Sequence, residues 1–425
     1  MMGDRPKSES YDAVVIGGGP AGSTAATLIA RAGHRILLVD RERFPRFRLG
    51  ESLMPATYWT FERLGVLDKM KSSTFVQKHS VQFFTKTGKG ALPFYFSEFD
   101  AHESSQTWQV DRSDFDLMLL EHAAENDVEV CQGVNVKDVV FEDERACAVE
   151  LEFEDGGRAR VDARVIVDCS GQTALIGRKL KLKQVDPVLQ HASIYTRYRN
   201  AWRDAGRDEG ATLILHTNSA KSWFWYIPLP NEEVSVGVVG PIDYLLKRGV
   251  SPEQVFHDEL EICPEVARRI EGAERTFEIK PIRDFSYISE RMAGDGWIMA
   301  GDAFGFLDPI YSTGVFLAMK SAEYAADAVI ETFEKSDFSA ALLGQYGPRY
   351  VEGMEAMRQL VYAYYDDEFS FARFLKKFPE CRETLVDLLV GNVFRKPVAG
   401  MLEKMGTMVD LPDARTLKAA NGAPT

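Results

Sequence analysis

The chain has 425 residues, of which 45% are hydrophobic, more than one simple core usually organises. Its 50 Lys and Arg against 64 Asp and Glu leave a net charge of −14, which argues against nucleic acid or an anionic membrane surface as partner. The five cysteines, Cys131, Cys147, Cys169, Cys263 and Cys381, are scattered and form no CxxC, so they read as free thiols in a reducing compartment and no metal site is expected. The polar N-terminus lacks an apolar signal core, and no run approaches the ~18 apolar residues of a membrane span. These features predict a cytoplasmic protein.

In chain order, residues 11–16 form an apolar run ending in glycines, 20–32 are Ala-rich with helical period, and 36–40 are a second apolar run. This is a βαβ unit at the start of the chain. Residues 111–126 are helical, and 128–130 form a short strand. Residues 134–141, 146–153 and 158–161 alternate with period two around the turn Asp155-Gly156-Gly157 and read as a meander, followed by a buried strand at 164–168. From about 187 to 287 the pattern changes to aromatic-rich strands, at 193–197, 212–216, 223–228 and 234–239, interrupted by an amphipathic helix at 252–262. A strand at 297–300 and a long helix at 314–333 follow. Residues 338–406 are helical and rich in Tyr, Phe and Met.

The spacing Gly17-x-Gly19-x-x-Gly22 sits between the first strand and the first helix. The first glycine permits a tight turn, the second lets backbone approach a pyrophosphate, and the third allows close helix–strand packing, with Ala21 small beside it. Asp40 closes the next strand, where a carboxylate accepts from a ribose hydroxyl. Gly301-Asp302, far along the chain after a second strand, completes a pairing that resembles glutathione-reductase-like flavoproteins, and that resemblance implies FAD. Read without that fingerprint, Asp302 is only a helix N-cap. Arg112, opening a helix, is a further candidate anchor, or else an ordinary helix charge.

Five segments then carry a resemblance: Gly17 to Gly22, Gly50-Glu51-Ser52, Asp168-Cys-Ser-Gly171, Trp223-x-Trp225-x-Ile227-Pro228, and Asp308-Pro-Ile-Tyr-Ser312-Thr313-Gly314. Together they resemble the flavin-dependent halogenases, of the branch acting on phenols and pyrroles, within the FAD-dependent monooxygenase-like fold. Related hydroxylases and geranylgeranyl-type reductases share the glycine and Gly-Asp elements, and such an enzyme is the alternative reading. The WxWxIP element, Trp223, Trp225, Ile227 and Pro228, favours the halogenase.

The resemblance implies an α/β fold. A glutathione-reductase-like FAD-binding domain (9–58, 107–186 and 285–335) carries an inserted, mostly antiparallel substrate domain (59–106 and 187–284). A helical C-terminal region (336–408) and a loose tail (409–425) complete it. It also implies a chemistry: hypohalous acid arises from a flavin C4a-hydroperoxide and chloride or bromide, with O2 as co-substrate, and passes along a tunnel to a lysine. That lysine halogenates an electron-rich aromatic ring, either by carrying the halogen as a haloamine or through a hydrogen bond. The family's Phe-x-x-Lys-x-Gly context matches Phe75-Val-Gln-Lys78-His-Ser80, so the role falls to Lys78, with Ser80 replacing the glycine. The halide is expected at the amides of Thr313 and Gly314, and the tunnel beside Trp223 and Trp225. The tryptophan-specific enzymes place a glutamate before Ser-Thr-Gly, whereas this chain has Tyr311. The absence of a second strand-linked GxGxxG implies a separate flavin reductase. The short C-terminal region suits a large aromatic substrate or one tethered to a carrier protein.

Overall fold

In the computed structural model, which describes residues 2–219 and 221–413, two large sheets share one continuous body. The first is built around the strand Ser10–Ile16. Its neighbours on one side are Ile36–Asp40, Glu129–Gln132 and the two-residue edge strand Met2–Gly3, all parallel. On the other side lies Arg158–Asp168, expected as two strands but formed as one. The first half of Arg158–Asp168 closes the antiparallel meander with Arg145–Phe153 and Val134–Glu142, and its second half pairs in parallel with Trp297–Met299. The five residues of Ile36–Asp40 are all buried, as expected of a parallel strand covered on both faces. Helices Pro20–Arg31 and Arg112–Glu125 pack against this sheet, and Gly314–Lys335 packs along Pro20–Arg31.

The second sheet runs in the order Gly305–Phe306, Lys280–Ser289, Lys183–Arg199, Glu233–Pro241, Trp223–Pro228, Thr212–His216, Ser80–Phe84, Phe94–Tyr95. All neighbours are antiparallel except Thr212–His216 and Ser80–Phe84. The period of two explains the hexapeptide Trp223–Pro228. Phe224 and Tyr226 point to a core under helix Pro252–Glu261, where Phe224 meets Phe256 edge-on at 5.7 Å. Trp223, Trp225 and Ile227 point to the opposite face, toward the first domain.

The segment 59–106 does not sit whole with the second sheet. Phe61, Leu64, Val66, Met70 and Phe75 belong to the core of the first sheet, because helices Thr57–Leu64 and Leu67–Lys71 turn their apolar faces that way. A two-stranded ribbon, Val76–Lys78 with Thr107–Gln109, then leads into the second sheet.

The C-terminal region is helical, and its longest helix, Gly347–Tyr365, packs on the core of the first sheet and on the Trp223–Trp225 face of the second. Beyond it, Val409 is buried and Arg358 donates to the Pro412 carbonyl at 2.6 Å, so residues 409–413 are docked. The rest of the expected tail lies outside the described residues. All five cysteines are unpaired. Among the described residues no helix is long and apolar enough to cross a membrane.

Candidate functional site

A cavity of about 520 Å³ opens where the carboxyl ends of the first sheet's strands face the second sheet, within the usual range for ligand pockets. One wall is the glycine turn. Gly17 has φ +101°, and a Cβ there would stand 2.4 Å from the Cys169 carbonyl oxygen. A Cβ on Gly22 would stand 1.8 Å from the Gly17 oxygen, so Gly22 serves helix–turn packing and does not itself reach the cavity. Gly19 is different: its Cβ would meet only the Arg46 guanidinium, at 3.4 Å, and the space before it is open. Ala21 lines the cavity and leaves room for the left-handed turn at Gly301.

Asp40 also lines this wall. Its carboxylate accepts from the amides of Gly18 at 2.7 Å and Glu42 at 2.8 Å, which fixes the turn and leaves a lone pair on each oxygen. Arg112 lines the cavity with a side chain held bidentately by the fully buried Asp116, at 2.7 and 2.8 Å. Asp116 also binds Arg46 at 2.7 Å, so one carboxylate aligns two cations at the cavity edge. Asp302 lies within a 3-10 turn, not at a helix N-cap, and faces the cavity. Burial pushes its carboxyl up to about 6, against the pull of Arg112 and Lys183.

At the start of helix Gly314–Lys335, Ser312 adopts a left-handed φ of 57° and Thr313 is the N-cap. Gly314 lines the cavity, and nothing stands within 4 Å of where its Cβ would be. Thr313 is 1% exposed and does not itself line the cavity, yet its hydroxyl has no hydrogen-bond partner. An orphan hydroxyl beside free helix amides is an arrangement that an anion completes.

The far wall is the second sheet. Trp223, Trp225 and Ile227 line it, while Pro228, buried at the strand end, does not. Trp225 Nε1 donates to Ser235 at 3.0 Å. Trp223 Nε1 donates to the Tyr365 hydroxyl at 3.0 Å, and Tyr365 in turn donates to Asp308. Asp308 is fully buried, pairs with His191 at 2.8 Å and caps the Ile310 amide. This carboxylate therefore ties the turn before helix Gly314–Lys335, the second sheet and the C-terminal helix into one cluster.

Lys78 is 2% exposed. Its amine donates to the Ser52 hydroxyl at 2.8 Å and the Leu53 carbonyl at 3.1 Å, and stands 5.6 Å from the centre of the Phe96 ring. Among the described residues no carboxylate pairs with it, and burial pushes it down to about 7. Lys78 is not on the cavity wall; Ser52 is, together with Thr212. His79, the next residue, is half-buried and turned toward Arg207 and Asp208. Sequence reasoning quoted Ser52 within Gly50-Glu51-Ser52 but gave it no role, and it missed Thr212, Gln109 and the salt bridge from Arg197 to the buried Glu51 at 2.9 Å. These contacts join residues more than a hundred positions apart, apart from the local GES motif nothing in the sequence marks them.

A family model described as an FAD binding domain matches residues 10–357. A 1H-pyrrole-2-carbonyl-(peptidyl-carrier protein) chlorinase of Pseudomonas fluorescens is 31% identical, covering 94% of this chain and 93% of its own. The chain belongs to the flavin-dependent halogenases. A brominase of the same pyrrole-2-carbonyl class from Pseudoalteromonas luteoviolacea is 33% identical over 91% of this chain and 93% of its own. The solved structure of a flavin-dependent brominase superposes with a TM-score of 0.84 at 30% identity, covering 93% of this chain and 98% of that one. The halogenase therefore uses FAD, and its walls fit that cofactor: an open glycine turn, two aligned arginines, and a carboxylate on each side. The hydroxylase and reductase alternative is not favoured.

Proposed function

We propose that the protein halogenates an electron-rich aromatic ring carried on a peptidyl-carrier protein, a pyrrole-2-carbonyl group in the first instance, with Lys78 handling the halogen. The observation that carries the assignment of Lys78 is a buried amine with no acidic partner among the described residues, one hydroxyl away from the cavity. An amine held near 7 exists in both protonation states at neutral pH, which suits proton donation or capture. The two relatives of 31% and 33% identity, which act on the carrier-bound pyrrole according to their names, support the substrate class.

When bound, reduced FAD supplies, with O2 and halide, the electrophilic halogen. Gly17, Gly19 and Ala21 would admit its pyrophosphate, Gly22 would hold the helix close, and Asp40 would accept from a ribose hydroxyl. Arg112 and Arg46 would balance the phosphate charge, and Asp302 would face the ribityl side. Thr313 and Gly314 would hold chloride or bromide at the helix start. Trp223, Trp225 and Ile227 form an apolar wall that excludes water, so the halogen is kept for the ring. A separate flavin reductase would supply the reduced cofactor.

The test is purified protein with a flavin reductase, NADH and either halide, given pyrrole-2-carbonyl-loaded carrier protein and, separately, free phenols and pyrroles. Mass spectrometry should show halogen on the carrier-bound ring. Halogenation of free rings only would refute the carrier-tethered reading.

A further inference from the structure

Building on the reading of Lys78 above, we propose that Lys78 acts on the cavity through Ser52. The Ser52 hydroxyl donates to the oxygen of hypohalous acid as the halogen leaves, and a Lys78 N–H replaces the proton.

Three observations carry this. First, Ser52 and Thr212 are on the cavity wall and Lys78 is behind them. Second, the amine's surroundings match an ammonium. Its three N–H bonds have three partners: the Ser52 hydroxyl at 2.8 Å, the Leu53 carbonyl at 3.1 Å, and the face of Phe96 at 5.6 Å, within cation–π range. A haloamine needs instead a lone pair open to the cavity, and the wall in that place is Ser52. Third, the hydroxyl hydrogens can be counted. Ser52 and Thr212 are 2.9 Å apart, and that contact uses one of their two hydroxyl hydrogens. Gln109 Nε2 donates to Thr212 at 2.8 Å and to the Gly210 carbonyl at 2.9 Å, so Thr212 is supplied as an acceptor and is left to donate to Ser52. Ser52 then accepts from Lys78 and Thr212, and its own hydrogen is left over for an acceptor in the cavity.

The step balances. The X–O bond of hypohalous acid breaks with its electron pair on oxygen, which takes the Ser52 proton and leaves as water. Ser52 takes a proton from Lys78. The ring's π pair forms the C–X bond. The ring C–H bond then breaks, its pair restores aromaticity, and its proton passes to water. The sum is ring–H plus HOX giving ring–X plus water, with Lys78 reprotonated from solvent.

The direction of the pH dependence separates this from direct attack by the amine. Burial is what lowers Lys78. Of the titratable groups next along the chain to it and to Ser52, His79 faces Arg207 and Asp208, and Glu51 faces Arg197. As a proton donor, Lys78 loses function as pH rises past its value near 7. As a nucleophile, it loses function as pH falls below it.

The experiment compares wild type with Ser52→Ala, Ser52→Thr and Lys78→Ala on pyrrole-2-carbonyl-loaded carrier protein. Product is measured per reduced flavin oxidised, from pH 6 to 9. Ser52→Ala should lose about 100-fold in product, the usual scale for a proton-transfer group, with flavin oxidation unchanged. Ser52→Thr, which keeps the hydroxyl, should recover most of it. Wild-type yield should fall toward pH 9. Full product from Ser52→Ala while Lys78→Ala is inactive overturns the relay and spares the reading of Lys78. So does a wild-type yield that rises with pH. Full product from Lys78→Ala overturns both.

Discussion

Lys78 is the residue whose environment costs the fold most visibly. A lysine at an ordinary surface position keeps its proton to above pH 10, whereas burial here brings the amine to about 7. Between those values the unfolded chain binds the proton and the folded chain does not. Stability therefore rises with pH through that window, and near pH 7 the site holds back a few kcal/mol. Lys78→Met removes the charge but keeps the volume. It should unfold at a higher denaturant concentration than wild type at pH 7, despite leaving the Leu53 carbonyl without its donor, and the gap should shrink toward pH 10. A variant less stable than wild type at pH 7 would mean that the amine is better solvated than its burial implies.

At the scale of elements, the strand Trp223–Pro228 presents its cavity face because its neighbour yields space. Trp225 pairs in register with Gly237, and a Cβ on Gly237 would stand 2.2 Å from the indole. The ring lies over bare backbone, a packing that only glycine allows. Gly237→Val should push the indole toward the cavity and cost about 1–3 kcal/mol, the usual range for overpacking. Chemical denaturation would measure the loss, and product yield should fall with it. Unaltered stability and yield would show that Trp225 has another place to go. The strand itself was legible in the sequence because a short apolar run between Ser222 and Asn231, broken by two prolines and set in the WxWxIP pattern, is too short and too proline-bound for a helix. So was the βαβ unit, where strand, glycine turn, helix and Asp40 follow in one local register. The ribbon that carries Lys78 was not. Val76–Lys78 is three residues long, too short for any period, and its partner Thr107–Gln109 lies about thirty positions away. Residues 59–71, expected with the second sheet, join the first core for a related reason: an apolar pattern shows that a face is buried, not which core buries it.

Across the whole molecule, the cavity is made by parts that no single stretch of sequence contains. Asp308, His191, Tyr365 and Trp223 come from a turn, the second sheet and the last long helix, and they meet in one hydrogen-bonded cluster beside the cavity wall. The glycine turn, the first-domain arginines and the Thr313-Gly314 helix start face them across the cavity. On the proposed reading, flavin oxidation belongs to the first-domain side and halogen transfer to the Ser52–Lys78 end, behind a different segment of chain. The most direct measurement follows both in one reaction, by flavin absorbance and by mass of the ring product, for wild type and Lys78→Ala. Lys78→Ala should still bind FAD and reoxidise it at close to the wild-type rate, while halogenated product falls about 100-fold or more. Product at the wild-type level from Lys78→Ala, or loss of flavin binding along with product, would contradict the proposed reading.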